Sequence, residues 1–136
     1  MLQNNIEELA ANFALFDDWE ERYRYLIDLG RKLPPMDDAL KTDESLVSGC
    51  TSRVWMVAAP RGDMFHFIAD SDAHIVRGLI ALLVASYEGR PVRDIAAIDI
   101  DKIFHDIGLD QHLSPNRRNG FFAMVERIKN LARQAA

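Results

Sequence analysis

The chain's one cysteine, Cys50, stands in the stretch "VSGCTSRVW" at 47–55, between a glycine and two hydroxyl residues. A packing cysteine belongs inside an apolar run. This one precedes such a run, on a segment that Gly49 allows to bend. A thiol is a nucleophile as its thiolate, which positive charge or oriented N–H groups stabilise. Arg53 follows closely, and Arg117 and Arg118 lie in the first turn of an expected helix, where unpaired backbone N–H groups also point outward. These residue types suit group transfer through sulfur. A single cysteine makes no internal disulfide and supplies no cysteine-rich zinc or iron–sulfur site. The four histidines show no metal-ligand spacing such as H-x-x-x-H.

The elements that carry these side chains follow from periodicity. Ile6, Leu9, Ala10 and Phe13 mark one face of a first helix. Asp17 and Glu20 resemble a capping box, and Trp19, Tyr23, Leu26 and Ile27 keep helical spacing until the prolines at 34–35. Residues 36–46 are polar and irregular, as in a connecting loop. The apolar run at 54–59, a type I turn over "APRG" at 59–62, and a returning strand at 64–69 predict a hairpin. Asp70 and Asp72 read as caps for an apolar helix from about 73 to 86, with His74 and Arg77 as a solvated pair on its surface. Trp55 and Phe67 read as sheet core. Short helical segments follow the breaker "EGRP" at 88–91, around 92–97 and 99–107. Ser114 and Pro115 then open a terminal helix with the stripe Phe121, Met124, Val125, Ile128 and Leu131. The expected fold class is α+β, with a small antiparallel sheet (a hairpin plus a short strand) packed against several helices.

The chain has 136 residues, with no repeat or interdomain linker, so 1–136 reads as a single domain. A net charge of −5 argues against binding nucleic acid by charge alone. The longest apolar stretch, "GLIALLVA" at 78–85, falls well short of the roughly 20 residues that span a bilayer. The N-terminal residues show no basic region followed by an apolar core, and the expected setting is cytoplasmic and reducing.

"LVSGCTSRVWMV", "ADSDAHIVRGLIALL" and "GLDQHLSPNRRNGF", with the proline-rich loop before them, resemble the SufE family of sulfur-acceptor proteins. Four blocks in register from Pro34 to Gly120 carry the resemblance. It implies a fold like that of SufE and IscU proteins, with Cys50 accepting sulfur from the cysteine persulfide of a desulfurase of SufS or CsdA type. It further implies delivery to a Suf-type iron–sulfur scaffold, with Arg117 as the motif arginine that stabilises the thiolate or persulfide or docks the partner. No cofactor is expected on this chain, since pyridoxal phosphate belongs to the desulfurase. Thr51 departs from the glutamine frequent in the family, and Arg118 adds a second charge that is expected to face water. The single cysteine argues against an iron–sulfur scaffold, which needs several thiolates. An adaptor that activates a desulfurase by binding alone remains the alternative, and a homodimer stays open.

Overall fold

The structure is a computed structural model that describes residues 6–49, 52–59 and 61–135. The most apolar segment forms the helix that the others surround: α3 (His74–Tyr87) buries Val76, Leu79, Ile80, Leu82, Leu83 and Tyr87. Against it lies α2 (Trp19–Arg31), through Leu26, Leu29 and Gly30. The two helices meet at glycines. A Cβ on Gly78 would overlap the Leu26 carbonyl oxygen, and one on Gly30 would fall 2.6 Å from the Gly78 nitrogen. At this crossing the backbones touch, which leaves no room for a side chain on either residue.

The cap of α2 falls one residue later than expected. Asp18, not Asp17, takes an extended conformation and accepts the Glu21 N–H at 2.9 Å. Both Asp17–Glu20 and Asp18–Glu21 satisfy the capping spacing, so the motif alone was degenerate. Before α2, α1 (Ile6–Ala14) buries Ile6, Leu9 and Phe13, as its periodicity requires.

Strand β1 (Val54–Ala58) pairs antiparallel with β2 (Phe67–Ser71), in the register Val54 with Ser71 through Ala58 with Phe67. The second strand therefore starts three residues beyond the expected 64–69. The reason is non-local. Arg61 and Met64 bond to each other's backbone, while Phe65 donates to the Arg90 carbonyl at 2.8 Å and accepts from the Gly89 N–H at 2.8 Å. Residues 64–65 are thus bound within their own turn and to the segment after α3, leaving 67–71 for β1. The expected turn at 59–62 includes Pro60, which lies outside the described residues. The expected short third strand does not form among the described residues; beside the hairpin stand only isolated bridges, such as that of Leu46 with Trp55.

After α3, a 3-10 turn at Val92–Ala97 leads to α4 (Ile100–Ile107), which ends at Gly108 with a φ of 89°. The single-turn α5 (Leu109–His112) and the long α6 (Pro115–Ala135) complete the order. The buried face of α6 comprises Gly120, Phe121, Met124, Val125, Ile128 and Ala132, with Leu131 only half-buried. No helix among the described residues is long and apolar enough to cross a membrane.

Candidate functional site

The segment that carries Cys50 is held at both ends. On the incoming side, the Val47 N–H donates to the Val54 carbonyl at 2.8 Å, and the Met56 N–H donates to that of Ser45 at 2.8 Å. Next comes Gly49, whose φ of 92° lies in the left-handed region that glycine alone enters freely. A Cβ on it would lie 3.3 Å from the Ala123 Cβ of α6, so the bend rests on that helix. On the outgoing side, the Arg53 N–H donates to Asp72 Oδ1 at 3.2 Å, and the Asp72 N–H donates to the Arg53 carbonyl at 3.3 Å. Asp72, expected to cap α3, instead fastens the end of the loop. Cys50 and Thr51 themselves lie outside the described residues.

Between this loop and α6 is a cavity of about 320 Å³. Its floor includes buried Val54, Val76, Leu79 and Phe121, and its rim carries Ser52, Ser114, Asn116 and Arg117. Arg117 is therefore brought beside Ser52, two positions past the cysteine in sequence. The helix start that presents it forms as its sequence requires: Ser114 Oγ accepts the Arg117 N–H at 3.3 Å, and Pro115 occupies the first helical position. The exposed Arg53 and Arg117 make no ion pair among the described residues. Arg117 thus brings to the cavity rim a guanidinium with no ion pair among the described residues, which favours an anion there. Arg118 is also exposed, but it donates to the Asp110 carbonyl and so joins α6 to α5. Nearby, His105 Nδ1 lies 2.6 Å from Asp110 Oδ2. This hydrogen bond raises the His105 pKa and lowers that of Asp110 from their ordinary values.

Asp70 and Arg77 depart furthest from the expected surface roles. Asp70 is 3% exposed and pairs with Arg77, while accepting from the Ser71 N–H at 2.8 Å and the Met36 N–H at 3.4 Å. Arg77 also donates to the carbonyls of Gly30 at 3.3 Å and Leu33 at 3.4 Å. Lys41 Nζ sits 3.5 Å from Asp70 and 5.2 Å from the centroid of the Trp55 ring. The cluster fixes the loop after α2 over the outer face of the sheet, where Trp55 is half-buried rather than core. A buried carboxylate is tolerable only with such partners. The available sequence signal was a charge beside Gly78 on an otherwise apolar helix; His74, its expected companion, is exposed. No group of three His, Cys, Asp or Glu residues among the described residues is arranged to hold a metal.

A two-stranded antiparallel sheet backed by several helices defines an α+β protein. The sequence matches the SufE family, described as an Fe-S metabolism associated domain, over residues 7–132. A SufE-like protein of Rhizobium etli is 45% identical over 136 residues, covering 97% of this chain and 92% of the relative. Another, from Rhizobium meliloti, is 44% identical over 132 residues, covering 94% of each chain. The solution structure of a hypothetical protein from Thermus thermophilus shares the fold, with a TM-score of 0.78 at 20% identity across 99% of this chain and 98% of that one. The chain belongs to the SufE family, and its role lies in iron–sulfur metabolism.

Proposed function

We propose that this protein is a sulfur carrier, with Cys50 accepting sulfur from the persulfide of a cysteine desulfurase and passing it to an iron–sulfur scaffold. The Cys50 thiolate attacks the outer sulfur of the partner's persulfide. The partner's sulfur–sulfur bond breaks, its cysteine departs as a thiolate, and a persulfide remains on Cys50. There is no net oxidation, and the exchange follows the rules of thiol–disulfide chemistry. One observation carries the reading: the loop is fastened on both sides of Cys50, and its Ser52 shares a cavity rim with Arg117. That rim offers positive charge to an anionic thiolate or persulfide, while the apolar floor offers shelter from water and stray thiols.

Mixing the protein with a pyridoxal-phosphate desulfurase and free cysteine, then measuring intact mass, tests the proposal. The expected product gains one sulfur atom on Cys50, and Cys50→Ser stays unmodified while keeping its fold and its binding to the desulfurase. Because the substitution changes little volume, loss of uptake reports chemistry rather than unfolding. A serine variant that still stimulated the desulfurase would establish the adaptor alternative.

A further inference from the structure

One face of α2 seats the connection that leads into α6. Trp19, Arg22 and Tyr23 stand three and four residues apart on that helix and so share a side of it. Arg22 Nη1 donates to the carbonyl of Ile107, the last residue of α4, at 3.4 Å. At Gly108, where the chain turns, a Cβ would lie 3.4 Å from both Arg22 Nη1 and Trp19 Cζ2. The Trp19 ring stacks on that of His112, with centroids 4.0 Å apart and planes at 26°. Tyr23 Oη donates to the His112 carbonyl at 3.0 Å. From the other side, Arg118 of α6 secures the Asp110 carbonyl. These ties converge on α5, a single turn of which only Leu109 is buried, so packing alone would hold it loosely. What they fix is the residues that follow. Only Leu113, itself buried, separates His112 from Ser114. Ser114 caps α6 through its Oγ, and its carbonyl accepts the Arg118 N–H at 2.9 Å. Ser114, Asn116 and Arg117 of this first turn all stand on the cavity rim. Where His112 is held therefore decides where that rim begins.

We infer that Tyr23 is a positioning residue for Arg117: by holding the His112 carbonyl, its hydroxyl fixes the start of α6 and with it the place of the guanidinium on the rim. The inference rests on the reading of this protein as a sulfur carrier whose transfer step Arg117 assists. Tyr23 is not one of the described residues that line the cavity, so it acts through the connection and not on the sulfur.

The test compares wild type, Tyr23→Phe, Arg117→Ala and the double variant. Tyr23→Phe removes one hydroxyl and keeps the ring against Trp19, so the fold survives. Amide exchange at Arg117 and Arg118 should quicken about threefold in Tyr23→Phe, with exchange in α3 unchanged, since the hydrogen bond lost is a local one. Single-turnover sulfur uptake at saturating desulfurase should slow about twofold, less than on losing the guanidinium itself. In the Arg117→Ala background, Tyr23→Phe should slow uptake no further, because a positioning residue has nothing to act on once the positioned group is gone. A second slowing by the same factor shows independent effects and overturns the inference. So do unchanged exchange at Arg117 and Arg118, unchanged uptake by Tyr23→Phe, or an equal rise of exchange in α3, which marks a general loss of stability. Uptake by Arg117→Ala at the wild-type rate overturns it too, while leaving Cys50 as the acceptor. Wild type that gains no sulfur on Cys50 refutes the carrier reading itself, and that result appears before any substitution at Tyr23.

Discussion

At the scale of single residues, Arg117 tests what the loop is for. Its side chain is exposed on the cavity rim and makes no ion pair among the described residues. Solvent screens such a charge, so its pull on an anion about 4 Å away is nearer 1 kcal/mol than the several expected in a dry interior. Arg117→Ala should therefore slow sulfur uptake by about fivefold, the rate equivalent of about 1 kcal/mol. Stability should change by less than about 0.5 kcal/mol, as for other exposed substitutions. Single-turnover mass measurements give the rate, and alkylation of Cys50 against pH locates the effect. A shift of that profile to higher pH places the charge beside the thiolate. An unchanged profile with slower uptake assigns Arg117 to docking, and unchanged uptake removes it from the site.

At the scale of elements, the crossing of α2 and α3 sets two opposing effects against each other. Gly→Ala inside a helix favours folding by about 1 kcal/mol through helix propensity alone. At Gly78, however, the added methyl would meet the Leu26 carbonyl, which is backbone and has no flexible end to move aside. Overpacking of this kind costs about 1–3 kcal/mol, and the helices must separate along the core. Gly78→Ala should therefore lower stability by a net of up to about 2 kcal/mol, the difference of those effects, read from denaturant midpoints. A stabilised variant would refute the close crossing. The helices themselves were legible, because apolar spacing at 6–13, 73–86 and 121–131 reports which side is buried. Their contact was not, because a glycine within a helical pattern does not name its neighbour. For the same reason β2 was misplaced by three residues: bonds from Phe65 to Gly89 and Arg90 join segments distant in sequence. Asp70 looked like a cap because capping is what an aspartate before a helix does locally, and only the fold brings Arg77, Lys41 and Met36 to it. For the candidate site, the motif gave Cys50 and Arg117 as residues. The fastening by Asp72 needed the fold.

At the scale of the whole molecule, one group registers how the helices close over the core. Tyr87 ends α3 with no exposed surface, and its hydroxyl has no hydrogen-bond partner among the described residues. Burial pushes its pKa up to about 12, helped by the negative charges of Asp101 on α4 and Glu126 on α6. The folded protein thus keeps this proton at a pH where the unfolded chain, titrating near 10, has lost it. The stabilisation is complete below about pH 10 and declines as pH rises toward 12, amounting to about 3 kcal/mol in all. Tyr87→Phe removes both the titration and an unsatisfied hydroxyl. At neutral pH the variant should match or exceed wild-type stability, within about 1 kcal/mol, because no hydrogen bond is lost with the oxygen. Between about pH 9 and 11.5 its denaturant midpoint should fall less steeply than that of wild type. Parallel curves for the two proteins would show that Tyr87 does not carry the alkaline transition. A variant much weaker at neutral pH would show that its hydroxyl is bonded within the core.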